Sequence, residues 1–233
     1  MSKREDFLDS YFAAREKSVE DRHKMWQIDC KWTKEILRQS GLDKNLKILD
    51  VGCADGEFTL LFHEFGILHG VEINEKMREI ASKKLSKTFK DIPLDEIYDV
   101  IIIRGTLQHI ENAEKFYEFL KSCLSKKGAA VFLANPNADS RIYRRFKRLP
   151  ALDVSPEFAS NFNVYSPKTL RQALDSTGEF HYFLSYPYFE TPYSRPVRDF
   201  ALVLKSFLTG KYIGRAFPRN MFNLVAVQKK NIS

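Results

Sequence analysis

The chain has 233 residues, of which 44% are hydrophobic, 13% aromatic and 29% charged, the proportions of an ordinary globular domain long enough for one large core. No repeat or low-complexity tract interrupts it, and no apolar stretch approaches the ~20 residues needed to span a bilayer. The three cysteines, Cys30, Cys53 and Cys123, are odd in number, widely spaced and outside any C-x-x-C arrangement, which argues against a disulfide scaffold and for reduced thiols.

The chain opens Met-Ser-Lys-Arg-Glu-Asp, without the apolar core of a signal peptide, so a cytoplasmic location is expected. Residues 3–40 read as polar helices in which Phe7, Tyr11 and Phe12 recur at helical spacing, and Trp26, Ile28, Trp32 and Ile36 do so more loosely. An N-terminal helical cap over residues 1–40 and a main domain over 41–233 are the expected divisions.

Residues 48–56 read Ile-Leu-Asp-Val-Gly-Cys-Ala-Asp-Gly, an apolar strand running into a Gly-rich turn, and Glu72 closes the next strand about twenty residues on. A strand, a tight turn and a helix set backbone N–H groups beside a ligand, and an acid at the tip of the neighbouring strand is placed to accept two ribose hydroxyls. A nucleoside is the expected ligand. The dinucleotide fingerprint G-x-G-x-x-G fits poorly, because Ala54 and Glu57 stand at its second and third glycines. Asp50, Asp55 and Glu57 also crowd the loop with negative charge, which repels phosphate but suits a cofactor bearing cations, as S-adenosylmethionine (SAM) does.

Further along, Asn74 is positioned to cap a helix with Met77, Ile80, Ala81 and Leu85 on one face. The stretch between Leu85 and Tyr98 offers only a short strand interrupted by Pro93. Residues 98–103, Tyr-Asp-Val-Ile-Ile-Ile, form a continuous apolar run of the kind found in a parallel strand buried on both faces. Then come Arg-Gly-Thr-Leu-Gln-His-Ile, a helix with Phe116, Phe119, Leu120 and Cys123, a Lys-Lys-Gly turn, and a strand over residues 129–133. The order of elements is that of an α/β, doubly wound, mostly parallel sheet of about seven strands.

These residues resemble the class I SAM-dependent methyltransferases, whose first motif is an acid followed by G-x-G-x-G; here it stands as Asp50, Gly52, Ala54 and Gly56. The resemblance covers residues 46–134 and implies a Rossmann-like fold with SAM as cofactor. It implies a cofactor set of Asp50, Gly52, Cys53, Ala54, Asp55, Gly56, Glu72, Ile73 and Arg104. Asp99 heads the strand usually written Asp-Val-Ile, and residues 107–110 correspond to a Leu-Glu-His-Val pattern with Gln108 in place of the glutamate. His109 follows the fourth strand by a short loop and is the candidate general base, or else it orients that loop. In the family an N-terminal helical segment closes over the cofactor, so Tyr11 or Trp26 is a candidate lid residue. The alternative is that these aromatics only seal helices against the sheet. The five histidines, at 23, 63, 69, 109 and 181, show no helical i,i+4 pair, and no metal site is expected.

Charge is divided unequally: residues 1–140 carry 22 Lys and Arg against 24 Asp and Glu, a net of −2, while residues 141–233 carry 15 against 6, a net of +9. Five of the eight residues 141–148 are basic, including Arg144, Arg145 and Arg148, the candidate substrate-binding set. Asn135-Pro136-Asn137, this basic run and residues 165–170 look like the branch containing sugar, glycan and quinone methyltransferases. Ser166 and Pro167 open another helix that Gly178 stops, and strands are expected over 180–186 and 223–227. Insertions on the substrate side are expected at about 136–165 and 187–221, the latter with Phe200, Val203, Leu204, Phe207 and Leu208 on one helical face.

The basic surface has three readings: a solvated face, a site for an anionic small molecule, glycan carrier or membrane surface, and a nucleic-acid surface. The Asn-Pro-Pro-Tyr type motif of base N-methyltransferases is absent after the fourth strand, where Arg104-Gly105-Thr106 stands. The expected activity is methyl transfer from SAM to an oxygen, or less favourably a nitrogen, of a small molecule or glycan intermediate. The alternatives are an RNA or protein methyltransferase and a catalytically silent SAM-binding module.

Overall fold

In the computed structural model the described residues are 19–110, 112–136, 138–139, 165–186 and 221–229. Phe7, Tyr11, Phe12, Arg144, Arg145, Arg148 and the apolar face from Phe200 to Leu208 lie outside them.

Seven strands form one sheet: β1 (Leu46–Val51), β2 (Gly66–Val71), β3 (Lys87–Phe89), β4 (Tyr98–Arg104), β5 (Leu124–Pro136), β6 (Phe180–Ser185) and β7 (Met221–Gln228), in the order β3-β2-β1-β4-β5-β7-β6. The pairs from β3 through to β5 are parallel, and β7 runs antiparallel to both β5 and β6. Chain order reverses on the two sides of β1, which pairs with β2 on one edge and β4 on the other. In open α/β sheets ligands bind beyond the carboxyl ends of the strands at such a switch point.

Residues Val100, Ile101, Ile102 and Ile103 of β4 are all fully buried, because the sheet is covered on both faces. Val100 and Ile102 face one apolar cluster with Trp26, Leu37 and Phe62, while Ile101 and Ile103 face the other with Phe116, Phe119 and Leu174. This two-residue alternation follows from the pleat, and each fully buried side chain contributes about 1.5–3 kcal/mol of transfer free energy.

The helices are α1 (Val19–Gln39), α2 (Glu57–Leu60), α3 (Glu75–Ser82), α4 (Ala113–Cys123) and α5 (Pro167–Asp175), with 3-10 turns at His63–Phe65 and Leu107–His109. Asn74 and Asn112 cap α3 and α4 by accepting N–H bonds from Met77 and Lys115. Ser166 and Thr169 form a reciprocal capping box at α5. Among the described residues no helix is long and apolar enough to cross a membrane.

Four local expectations are revised. The buried stripe of α1 is Trp26, Asp29, Cys30, Thr33, Ile36 and Leu37, so Trp26 and Ile36 are buried as expected while Ile28 and Trp32 are only half-buried. Helix α3 stops at Ser82, so Leu85 is buried from the following turn, while Ile80 is exposed. The Lys-Lys-Gly segment lies within β5, at a register break opposite Tyr98 and Val100. Helix α5 ends at Asp175 with Ser176 as C-cap, two residues before Gly178.

Candidate functional site

The turn after β1 is built from left-handed backbone. Gly52, Ala54 and Gly56 have φ of 81°, 51° and 79°, so alternate residues of the turn fold the chain back on itself directly after β1. At Gly52 a Cβ would collide with the Thr106 hydroxyl, which is why the first position admits only glycine. Ala54 adopts the same hand with its methyl retained, a conformation costing of order 1 kcal/mol, and its N–H donates to Glu72 Oε2 at 3.0 Å. Gly52 and Cys53 both donate to the Val71 carbonyl, at 2.8 and 3.0 Å, tying the turn to the end of β2. Cys53 is buried where Gly70 makes room for it, since a Cβ at Gly70 would lie 2.5 Å from Cys53 Sγ. Burial pushes that thiol's pKa up, so it packs as a small apolar group.

Glu72 is 8% exposed, and its carboxylate accepts backbone N–H bonds from Ala54 on Oε2 and from Asn74 on Oε1, the latter at 2.8 Å. Ile73 beside it is 51% exposed, an apolar surface next to the acid. Arg78 Nη1 donates to the carbonyls of Glu72 and Ile73 at 2.8 and 3.2 Å and so braces this corner from α3. Asp55 accepts from the Glu57 N–H at 3.2 Å at the start of α2.

Asp50, at the carboxyl end of β1, is buried beneath the turn. Its Oδ2 accepts the Thr59 hydroxyl at 2.6 Å, whereas Oδ1 is buried and has no hydrogen-bond partner. Burial raises its pKa to about 6, against the opposing pull of the Thr59 bond and of Arg104, and the Glu72 charge adds to the rise.

Arg104 ends β4 and donates through Nε and Nη2 to Asp29 Oδ2 of α1, at 3.3 and 3.2 Å. Its guanidinium lies over the rings of Phe58 and Trp26, 4.9 and 5.7 Å from their centroids. Asp29 Oδ1 accepts from Asn223 Nδ2 of β7 at 2.8 Å, and Asn223 Oδ1 accepts the Ala134 N–H of β5 at 2.8 Å. Burial pushes the Asp29 pKa up and outweighs the opposing pull of Arg104 and Asn223. Neither Asp29 nor Asn223 is among the residues expected from sequence, although Asp29 lies between Trp26 and Cys30 on the buried stripe of α1, where an acid needs a partner.

Beyond β4, Gln108 Nε2 donates to the Gly105 carbonyl at 3.0 Å and lies 3.3 Å from His109 Nε2. An amide nitrogen only donates, so this contact is a hydrogen bond in the tautomer whose Nδ1 carries the hydrogen. Gln108 Oε1 and Asn135 Oδ1 are both buried without a partner, each a cost of roughly 1–3 kcal/mol while unfilled.

The methyltransferase-domain family model matches residues 23–178. The chain belongs to that family. It is a class I SAM-dependent methyltransferase, with the seven-stranded Rossmann-like sheet of that class. No curated protein matches it in sequence. Among solved structures it is similar to the plantazolicin methyltransferase BpumL in complex with S-adenosylhomocysteine (SAH), at 17% identity over 96% of this chain and 92% of that one, with a TM-score of 0.61. A Thermotoga maritima SAM-dependent methyltransferase, described as a possible histamine N-methyltransferase, matches at 16% identity over 92% and 98%, with a TM-score of 0.54. An Archaeoglobus fulgidus SAM-dependent methyltransferase matches at 21% identity over 85% and 94%, with a TM-score of 0.52.

In this methyltransferase the residues fit a cationic nucleoside cofactor. Asp50, Gly52, Cys53, Ala54, Asp55, Gly56, Glu72 and Ile73 come together around the ends of β1 and β2, and Arg104 lies one strand away, paired with Asp29. Asp50 and Glu72 leave negative charge beside the turn, and one Asp50 oxygen lacks a donor. His109 lies past the end of β4, in the 3-10 turn Leu107–His109 that follows Thr106. Arg144, Arg145 and Arg148 fall outside the described residues.

Proposed function

We propose that this methyltransferase modifies an oxygen, with nitrogen the less favoured alternative, of an anionic small molecule or glycan intermediate. SAM, when bound, supplies an electrophilic methyl on a sulfonium. The turn from Gly52 to Gly56 and the Glu72 carboxylate hold the nucleoside, Ile73 offers an apolar face to the base, and Asp50 offers a carboxylate oxygen to the cationic end. The single observation that carries the oxygen reading is the His109 imidazole in the turn past the end of β4. A hydroxyl must lose its proton as it is methylated, and imidazole is the side-chain group that accepts one near neutral pH. Proton transfer to Nε2 displaces the Gln108 contact. That same contact favours a second reading, in which His109 orients the loop and acceleration comes from alignment of donor and acceptor alone. An anionic acceptor is supported by the net charge of +9 after Ser140.

Incubation with methyl-labelled SAM against sugars, quinols, phosphorylated metabolites and tRNA tests the proposal. Label is expected in a hydroxyl-bearing anionic small molecule. Label only in tRNA or protein overturns it, and SAH binding without transfer to any acceptor points to a silent cofactor-binding module.

A further inference from the structure

Two buried amide oxygens at the ends of neighbouring strands lack a donor, and their geometry explains which way they face. Asn135 is 2% exposed, and its Nδ2 donates to the Phe222 carbonyl at 3.4 Å. Turning the amide over would set two carbonyl oxygens against each other, so Oδ1 is the atom left buried without a donor. Gln108 is held in the same way by the Gly105 carbonyl, and Gly105 in turn donates to the Leu133 carbonyl at 2.9 Å, which joins the Gln108 turn to the end of β5.

The backbone around Asn135 departs from strand geometry. Ala134 has a φ of 54°, and the β5–β7 register breaks between Phe132 and Asn135. A bulge of this kind re-aims a side chain near a site. The Ala134 N–H is taken by Asn223 Oδ1, and Asn223 is fixed by Asp29, so α1 and β7 together hold the bulge in place. We infer that Asn135 Oδ1 and Gln108 Oε1 receive N–H or O–H hydrogens of the methyl acceptor, so that this enzyme selects acceptors by neutral hydrogen-bond donor groups and disfavours molecules in which those groups are already methylated. Asn135 and Gln108 are the specificity residues, with Asp29 and Asn223 as positioning residues. The inference rests on the methyl-transfer reading and identifies the acceptor by chemistry that the basic segments do not determine.

The test uses small probes, titrated by ligand-observed NMR onto the full chain with and without SAH: phenol against anisole, and imidazole against 1-methylimidazole. Each donor is expected to bind about tenfold more tightly than its methylated counterpart. The preference should shrink in Asn135→Leu and in Gln108→Leu, and survive in Asn135→Asp, which keeps an acceptor oxygen. SAH affinity, measured by calorimetry, should stay within about twofold across these variants. Equal binding of the methylated probes to the wild type, no binding of any donor probe, or a preference that survives both Leu variants overturns the inference. Failure of SAH itself to bind would instead sink the cofactor reading, and the probe comparison on the SAH-free chain still decides the inference.

Discussion

Asp29 on α1 and Arg104 at the end of β4 are 75 residues apart in the chain and joined by two donor contacts to one carboxylate oxygen, with both side chains largely withdrawn from solvent. The pair ties the helix that precedes the sheet to the strand end that faces the site. Asn223 completes the carboxylate's coordination from β7, so three segments of chain meet at Asp29. Removing one member of a buried pair leaves the other charge without compensation, which costs far more than the pair's net worth.

Asp29→Ala is therefore expected to destabilise the protein by about 3–5 kcal/mol, because Arg104 and Asn223 both lose the Asp29 carboxylate. The double variant Asp29→Leu with Arg104→Met should recover a large part of that loss. Urea unfolding of Asp29→Leu, of Arg104→Met and of the double variant checks this, and additive losses would show that the two side chains are energetically independent.

Glu72→Ala should weaken SAH binding roughly ten- to a hundredfold, the effect of losing a charged hydrogen-bond partner of about 1.5–3 kcal/mol. The Ala54 and Asn74 N–H groups also lose their acceptor, so a lower melting temperature should accompany the lower affinity. Calorimetry and a thermal scan read the two effects separately. Unchanged SAH affinity would remove Glu72 from the cofactor site.

Burial raises the pKa of Asp50 in the folded protein to about 6, from an ordinary carboxyl value of 3.8. Between these values the folded protein keeps the proton that the unfolded chain has released, so stability falls as pH rises through the window, by about 3 kcal/mol when complete. Asp50→Asn abolishes this penalty while retaining an oxygen for the Thr59 hydroxyl. The variant should be more stable than the wild type above pH 6, equal to it below about pH 4, and weaker in SAM affinity at neutral pH. Denaturant melts at pH 4 and pH 7 check the sign, and a gain at both would show that the carboxylate's ionisation is not its cause.

His109→Gln keeps polarity without basicity, and turnover should drop by roughly a hundredfold or more if Nε2 takes the proton, with SAM affinity nearly unchanged. Retained turnover with a wild-type pH profile would leave His109 as the group that orients the loop with Gln108.

Neutralising Arg144, Arg145 and Arg148 together should raise the acceptor's KM and flatten its salt dependence while SAH affinity stays nearly constant. Steady-state kinetics at two ionic strengths reads both. A change confined to solubility would assign these arginines to a solvated face.

Much of the sheet is legible in the amino-acid order because its signals are local. The run from Val100 to Ile103 is apolar at every position because both faces of β4 are covered, and the turn from Asp50 to Gly56 is contiguous, so its acid and its left-handed positions can be read from neighbours in the chain. The caps at Asn74, Asn112 and Ser166 follow from side chains within three residues of the N–H groups they satisfy. Tertiary packing alone decided the rest. Asp29 meets Arg104 and Asn223 across 75 and 194 residues, and no pattern in α1 names either partner. The bulge at Ala134 arises where β7 pairs antiparallel with β5, and which amide atom of Asn135 and Gln108 is left without a partner is set by the carbonyls of Phe222 and Gly105 against which their amide nitrogens lie. Hydrogen-bond direction is a property of the neighbours that folding supplies, whereas periodicity and turn chemistry belong to the chain itself.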